Sequence, residues 1–180
     1  AADMYEVEVK ARVPSAQAAR DRLLELGAER LGKEEQRDTY FAHPQRDFAA
    51  TDEALRLREA WGRAELTYKG PKLDAQTKTR EELTARVEPS EELVAMLQRL
   101  GFRPVAVVAK WRETWKLRGA EVAVDEVEGL GAFVEVELGA HTQPEAATLS
   151  VRALALLREL GGGESLRTSY LEMLLGQGKG

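Results

Sequence analysis

Residues 5–13 read YEVEVKARV, in which charged and apolar side chains alternate strictly after the tyrosine. Such alternation is typical of a β-strand, where successive side chains point to opposite faces. One face of this strand carries Glu6, Glu8, Lys10 and Arg12, and the other carries Val7, Val9, Ala11 and Val13. The apolar face can cover a hydrophobic core, so the charged face is the feature that needs a separate explanation.

The same two-faced pattern recurs in five further stretches of the chain. Their charged faces carry, in order, Arg56 and Arg58; Glu65 and Lys69; Lys78, Arg80, Glu82 and Arg86; Lys110, Arg112, Lys116 and Arg118; and Glu135 and Glu137. Acids dominate the first and last strands, whereas bases dominate the strands between them. A sheet face in water usually mixes the two signs, so this segregation indicates a more specific role.

Glycine, proline and capping residues divide the rest of the chain into helices and turns. Helices are predicted over about 15–27, 91–100, 144–160 and 168–175, strands also over 28–41 and 76–87, and a loop over 45–53. About eight strands, mostly antiparallel neighbours, indicate an α+β protein with one curved or closed sheet. We expect a single domain over residues 1–175, followed by a disordered tail at residues 176–180.

Two arrangements of the charged face are compatible with the pattern. In an open antiparallel sheet, that face would lie in water. In a closed barrel, the helices would cover the apolar outside and the charged face would line the interior, where unpaired charges are costly unless a ligand compensates them. The segregated signs favour the barrel. A polyanion would fit its lining, with basic side chains on the anion oxygens and carboxylates holding a divalent metal ion. A metal ion held by carboxylates next to phosphate-binding bases is typical of enzymes that transfer phosphoryl or nucleotidyl groups.

The composition narrows the classes of function further. Hydrophobic residues make up 43% and charged residues 32%, which indicates a soluble globular protein. The chain has no cysteine and two histidines, so a metal would be held mainly by carboxylates, which favours Mg²⁺, Mn²⁺ or Ca²⁺. A net charge of −5 argues against general nucleic-acid binding. No apolar run reaches the roughly 20 residues of a membrane span and no secretory signal is evident, so we expect a cytoplasmic protein without a membrane partner.

The charged motifs and their order resemble those of a known family. They are, in chain order, Glu6-Val7-Glu8-Val9-Lys10, Arg56-Leu57-Arg58, Thr67-Tyr68-Lys69-Gly70-Pro71, Arg80-Glu81-Glu82, Lys110-Trp111-Arg112, Asp125, Gly129-Leu130-Gly131, Glu135-Val136-Glu137 and Ser169-Tyr170-Leu171-Glu172. The first is the short ExExK signature of the CYTH superfamily, also called triphosphate tunnel metalloenzymes. The motifs together cover nearly the whole chain, which is most similar to the class IV adenylyl cyclase group of this superfamily.

The resemblance implies a closed eight-stranded antiparallel β-barrel, a tunnel with a charged interior and flanking helices, that binds a small-molecule triphosphate with Mg²⁺ or Mn²⁺. It implies metal-binding roles for Glu6, Glu8, Glu135 and Glu137, with Asp125 either at the metal or holding an arginine. It implies phosphate-binding roles for Lys10, Arg56, Arg58, Lys69, Arg80, Lys110 and Arg112. Strand position adds Arg12, Lys78 and Glu82 as secondary candidates. A homodimer is an expectation from the family alone.

The resemblance leaves the reaction open. Members of the family cyclise ATP to cyclic AMP and pyrophosphate, or hydrolyse thiamine triphosphate or inorganic tripolyphosphate. A non-catalytic polyphosphate- or nucleotide-binding module is a further alternative. Cyclase members carry a His-Phe-x-x-Pro stretch, whereas this chain has Tyr40-Phe41-Ala42-His43-Pro44, which departs at the first position. An unprotonated lysine, with its pKa lowered by neighbouring cations, is a candidate general base, and Lys78 and Lys110 both fit this role.

The tryptophans are assigned by strand position. Trp111 and Trp115 lie on the apolar face of their strand and are predicted to belong to the core. Trp61 lies at a hairpin turn near the expected tunnel mouth. It could stack on an aromatic ring of a substrate or simply cover a neighbouring side chain.

Overall fold

The computed structural model describes residues 5–177, and its centre is a closed barrel of eight antiparallel strands. The strands are β1 (Tyr5–Arg12), β2 (Glu29–Ala42), β3 (Ala54–Ala60), β4 (Arg63–Lys69), β5 (Arg80–Arg86), β6 (Arg103–Leu117), β7 (Ala120–Val127) and β8 (Gly131–Ala140). Their order around the barrel is β1-β5-β4-β3-β2-β6-β7-β8. The α+β barrel expected from the sequence is therefore confirmed.

The helices are α1 (Ala16–Glu25), α2 (Phe48–Thr51), α3 (Ser90–Arg99), α4 (Gln143–Glu159) and α5 (Tyr170–Gln177). Helix α2 corrects the prediction of a plain loop at residues 45–53, because Asp47 caps a single helical turn by accepting from Ala49 N. Helix α5 includes Gly176 and Gln177, which were expected in the tail, and residues 178–180 lie outside the described part of the chain. No helix among residues 5–177 is both long and apolar enough to cross a bilayer.

The apolar faces of the strands point outward, and helices cover those of β1, β3, β4, β7 and β8. Val7, Val9 and Ala11 of β1 pack with Leu23 of α1 and Leu157 of α4 in the main core, to which β7 and β8 also contribute. On the other side of the barrel, helix α3 covers β3 and β4 in a smaller core. Since side chains alternate along each strand, burial of the apolar face outside the barrel turns the charged face inward.

The tryptophan prediction is half correct. Trp115 is buried in the main core. Trp111, predicted to be buried as well, has 42% of its surface exposed, and Lys33 lies against its ring.

The wall of the barrel is irregular along one edge of β1. Strand β1 pairs with β8 at eight positions but with β5 only at Tyr5 and Glu6, because β5 begins at Arg80 and not at Gln76 as predicted. Three backbone N–H groups from outside the strands cover the rest of this edge. Lys78 donates to Glu8, Leu166 to Lys10 and Gly163 to Arg12. The loop before β5 and the segment before α5 thereby complete this edge of the barrel wall.

Candidate active site in the tunnel

The barrel interior is packed with charged side chains. Lys10 and Asp125 have no exposed surface, Asp38 has 1% and Lys110 has 3%. The sequence-predicted residues that face this interior are Glu6, Glu8, Lys10, Arg56, Arg58, Lys69, Lys78, Arg80, Glu82, Lys110, Arg112, Asp125, Glu135 and Glu137. Arg12 does not join them, because its exposed side chain donates to Leu130 O and lies over the Phe133 ring at the end of the barrel.

The tunnel contains buried polar atoms without hydrogen-bond partners, and one of them, Lys10 Nζ, lies beside α5. Among residues 5–177, the buried side-chain atoms that lack a hydrogen-bond partner are Lys10 Nζ, Gln36 Oε1 and Arg56 Nε, and all three residues face the tunnel. Lys10 Nζ lies 4.2 Å from the centre of the Tyr170 ring. A cation–π contact offsets only part of the cost of burying an ammonium group, so the half of the tunnel nearer α5 fits an anion.

Asp38 on β2 is a tunnel residue that the sequence did not reveal. Its two carboxylate oxygens accept 2.8 Å bonds from Arg58 Nε and Nη2, and its Oδ2 also accepts a 2.6 Å bond from Lys110 Nζ. Burial alone would raise the pKa of Asp38, but Arg58 and Lys110 hold that pKa well below its usual range. Every side chain of residues 33–39 is polar, so alternation could not show which of them face inward.

Asp125 and Tyr170 fix Arg112 in the tunnel wall. Asp125 accepts two bonds of 2.7 and 2.6 Å from the Arg112 guanidinium, which also donates to Glu135 at 2.9 Å. Tyr170, the first residue of α5, donates its hydroxyl proton to Asp125 at 2.7 Å. Of the two roles that the resemblance offered for Asp125, the structure displays the contact with an arginine. Tyr170 stood in a quoted motif, but nothing in the sequence placed a helix residue inside the barrel.

The half of the tunnel farther from α5 concentrates acids. Glu8 and Glu137 lie directly opposite each other on β1 and β8. Burial, followed by the carboxylates of Glu8 and Glu82, raises the pKa of Glu137 well above its usual value, and Glu6 adds to this effect. Lys69 lies between them, 3.8 Å from Glu8 and 3.7 Å from Glu82. We call these four acids, Glu6, Glu8, Glu82 and Glu137, the acidic cluster.

The acidic cluster fits a hard divalent cation by its chemistry. Its carboxylates come from adjacent strands and repel one another, and oxygen ligands of this kind suit Mg²⁺ and Mn²⁺. Within residues 5–177, no three acidic or histidine side chains already converge on one point. A cation would therefore have to draw the flexible glutamate side chains inward, away from their lysine partners.

The two candidate lysines lie in different surroundings. Burial lowers the pKa of Lys78 well below its usual value, although Glu8, 3.8 Å away, opposes this effect. Burial and the positive charge of Arg58 lower the pKa of Lys110 to about 7, although Asp38 opposes them. Both lysines can thus lose a proton more readily than an exposed lysine, and Lys110 does so near neutral pH.

Two cavities flank the hairpin between β3 and β4. One, of about 180 Å³, opens at the tunnel mouth and is lined in part by Glu34, Arg58, Arg63 and Arg112. The other, of about 790 Å³, lies on the outer surface between the exposed Trp61 and the start of α3 at Ser90. The outer groove is larger, but the deeply buried bases and the acidic cluster lie inside the barrel, so we place the candidate site in the tunnel.

Comparison with known proteins identifies relatives of this chain. The family model of the CYTH domain matches residues 4–170. A candidate adenylate cyclase of Methanocaldococcus jannaschii is 37% identical over 172 residues, which cover 94% of this chain and 98% of the relative. The adenylate cyclase CyaB of Aeromonas hydrophila is 29% identical over 137 residues, which cover 74% of this chain and 69% of the relative. The structure of a Pyrococcus horikoshii protein, 39% identical, superposes with a TM-score of 0.89 over 96% of this chain and 99% of its own. The chain is a member of the CYTH domain family.

Proposed function

We propose that this protein is a divalent-metal-dependent enzyme that binds ATP by its triphosphate in the tunnel and converts it to cyclic AMP and pyrophosphate. The observation that carries the proposal is the fully buried Lys10 ammonium, which has no hydrogen-bond partner and lies in the same tunnel as further bases and a cluster of acids. A triphosphate with its metal ion supplies both missing charges. The names of the two relatives, an adenylate cyclase and a candidate adenylate cyclase, support the choice of reaction.

The phosphate oxygens would be bound by the bases that line the tunnel. These are Lys10, Arg56, Arg58, Lys69, Arg80 and Arg112. Arginine guanidinium groups offer paired donors to phosphate, and lysines supply compact charge. Glu6, Glu8 and Glu137 would hold Mg²⁺ or Mn²⁺, with Glu135 beside them. When bound, the cation would neutralise phosphate charge and make the phosphorus easier to attack.

Lys110 is the proton acceptor that we propose for the cyclisation. Its neutral form would take the proton of the ribose 3′-hydroxyl, the oxygen would form a bond to the α-phosphorus, and the bond to the leaving pyrophosphate would break with its electrons. Lys78 is less suited, because it contacts Glu8, a proposed metal ligand. Since the pKa of Lys110 is about 7, kcat/KM is expected to rise with pH through neutrality as the lysine becomes neutral.

A triphosphatase acting on thiamine triphosphate or tripolyphosphate is the second candidate. Tyr40 favours it, because this residue stands where cyclases of the family carry histidine, and it faces the tunnel opposite Arg56. In this alternative a water molecule would attack the terminal phosphorus.

The test is to incubate the pure protein with ATP, thiamine triphosphate or tripolyphosphate, each with Mg²⁺ or Mn²⁺, and to identify the products. We expect cyclic AMP and pyrophosphate from ATP. Release of inorganic phosphate without cyclic AMP would instead support the triphosphatase. Turnover of none of the substrates, or turnover unaffected by the double substitution Glu6→Gln and Glu8→Gln, would contradict both proposals.

A further inference from the structure

We infer that Asp38 is a positioning residue, which holds Arg58 and Lys110 at fixed places in the tunnel wall and controls the protonation of Lys110. This inference rests on the proposed function, since it concerns how the phosphate-binding and proton-accepting groups are kept ready. Asp38 belongs to none of the family motifs identified in the sequence.

The backbone places Asp38 between its two partners. Strand β2 lies between β3 and β6, and Asp38 is in register with Arg58 on β3 and with Val108 on β6, two residues before Lys110. Its Oδ1 is occupied by Arg58, and its Oδ2 is shared by Arg58 and Lys110. A short carboxylate on a central strand has few alternative conformations when three hydrogen bonds hold it. The guanidinium and the ammonium therefore keep a fixed separation before any substrate arrives.

The charge on Lys110 depends on a balance of neighbours from several elements. The charged groups that act most strongly on it are Asp38 on β2, Arg58 on β3, Arg112 on β6 and Asp125 on β7, and the Tyr170 ring on α5 lies near both it and Lys10 on β1. Burial, Arg58 and Arg112 favour the neutral lysine, whereas Asp38 and Asp125 favour the charged one. Asp38 is the acid in direct contact, so its removal would leave Lys110 neutral at a lower pH than before.

The repulsion between the Asp38 carboxylate and a bound polyanion indicates that Asp38 does more than stabilise the fold. A carboxylate inside a tunnel for a polyanion weakens binding by Coulomb repulsion, so its presence is best explained by what it organises. The contrast is Glu113 on the outer face of β6, which is also buried. Glu113 accepts from Arg20 and Trp115 at 3.0 and 2.9 Å, and it lies under α1, away from the tunnel. It provides a matched control for the loss of a buried, paired carboxylate.

The experiment compares Asp38→Asn with Glu113→Gln in the full-length protein. For Asp38→Asn we expect kcat to fall about 10- to 100-fold because Lys110 and Arg58 lose their common anchor, while KM stays the same or decreases. We also expect the acid limb of the pH profile, where kcat/KM rises as Lys110 loses its proton, to move to lower pH by roughly 1–3 units. Glu113→Gln is expected to lower thermal stability without moving this limb. An unmoved limb in Asp38→Asn, or an equal shift in Glu113→Gln, would overturn the inference.

A measurement without substrate separates this inference from the proposed function. The titration of Lys110 can be followed by NMR of isotopically labelled lysine side chains, with Lys110→Arg used to assign the signal. We expect the midpoint to be lower in Asp38→Asn than in the unsubstituted protein, and an unchanged midpoint would contradict the inference. Calorimetry with tripolyphosphate tests the tunnel itself, because an unsubstituted protein that binds no tripolyphosphate refutes the proposed function whatever the lysine does.

A second variant, Asp38→Glu, covers the case in which Asp38→Asn does not fold. It keeps the negative charge but moves the carboxylate by one methylene group. Since this variant changes the position of the carboxylate but not its charge, we expect a lower kcat, while the acid limb of the kcat/KM profile stays near its original pH. A kcat equal to that of the unsubstituted protein would show that Asp38 does not position its partners.

Discussion

The half of the tunnel nearer α5 and the half nearer the acidic cluster contain the same kinds of side chain but pair them differently. Near α5, Asp38 and Asp125 each hold an arginine, and yet the buried Lys10 Nζ has no hydrogen-bond partner. In the other half, four carboxylates from adjacent strands lie close together, and two lysines, Lys69 and Lys78, contact them. One half thus has surplus positive charge and the other has surplus negative charge.

This difference teaches that the interior is not simply a network of salt bridges. A set of ion pairs that served only the fold would place each base beside an acid, as Glu113 does with Arg20 outside the barrel. Buried ion pairs rarely stabilise a protein more than apolar residues of the same size would. Segregated charges stabilise it even less, so they point to a ligand that is itself divided into an anion and a cation.

The largest effect is expected from Lys10→Met. Methionine nearly preserves the length of the side chain and removes a buried charge that has no hydrogen-bond partner. We expect tripolyphosphate to bind about 10- to 100-fold more weakly, because a charged donor to phosphate is lost. Without ligand, the free energy of unfolding should rise by roughly 1–3 kcal/mol. Calorimetry and urea denaturation measure the two quantities.

Arg12→Met is the control for Lys10→Met on the same strand. Arg12 is exposed and lies at the end of the barrel, so neither tripolyphosphate affinity nor stability should change comparably. Unchanged affinity together with lower stability in Lys10→Met would show that the lysine serves the fold, and the contrast between the two halves would lose its functional meaning.

A somewhat smaller effect is expected from Glu137→Gln in the acidic cluster. Loss of one carboxylate should weaken Mn²⁺ binding about tenfold, while the metal-free protein should become more stable because three acids repel each other less than four. Mn²⁺ calorimetry and thermal unfolding in a chelator measure these changes. Glu121 lies opposite Glu137 on β7 but is exposed, so Glu121→Gln should leave both quantities nearly unchanged. Equal effects of the two substitutions would argue against a localised cation site.

Much of the fold could be predicted because alternation is a local signal. Strands such as β1 carry a polar and an apolar side chain in turn, and the apolar set must be covered by helices. The error at residues 76–79 has a tertiary cause. Their sequence alternates, but Asp74 accepts from Gln76 N, and Lys78 N donates to β1 in place of a regular ladder.

The candidate site was predictable only where charged residues lie on alternating strands. Asp38 was missed because its surroundings are polar on both faces, and Tyr170 because a helix at the end of the chain inserts it into the barrel. Arg12 was included only because it lies on the same face of β1 as Glu6, Glu8 and Lys10, but β1 reaches the end of the tunnel before position 12. Alternation along a strand predicts the face to which a side chain points, but it does not predict how far the barrel extends.

Tyr170→Phe tests how the half of the tunnel nearer α5 is organised. We expect it to change stability and kcat/KM only modestly. The ring that contacts Lys10 remains, and the hydrogen bond to Asp125 is lost. We expect a loss of about 1 kcal/mol in stability and a severalfold decrease in kcat/KM, because Arg112 still keeps both bonds to Asp125. Tyr170→Leu, which also removes the ring, should have a larger effect on tripolyphosphate affinity. Identical behaviour of the two variants would show that the ring does not position Lys10.

Trp61→Asn should have the smallest effect and marks the outer limit of the site. Trp61 and Gly62 form the turn between β3 and β4 with φ angles of +41° and +74°, a conformation that asparagine adopts more easily than tryptophan before glycine. The Trp61 side chain is 71% exposed, so little packing is lost, and stability should rise by a few tenths of a kcal/mol. Because this residue lines the outer groove and the charge segregation lies within the barrel, tripolyphosphate affinity should not change. Weaker binding of ATP with unchanged tripolyphosphate affinity would extend the site across the rim to the groove, since the two ligands share their phosphates and differ in the nucleoside.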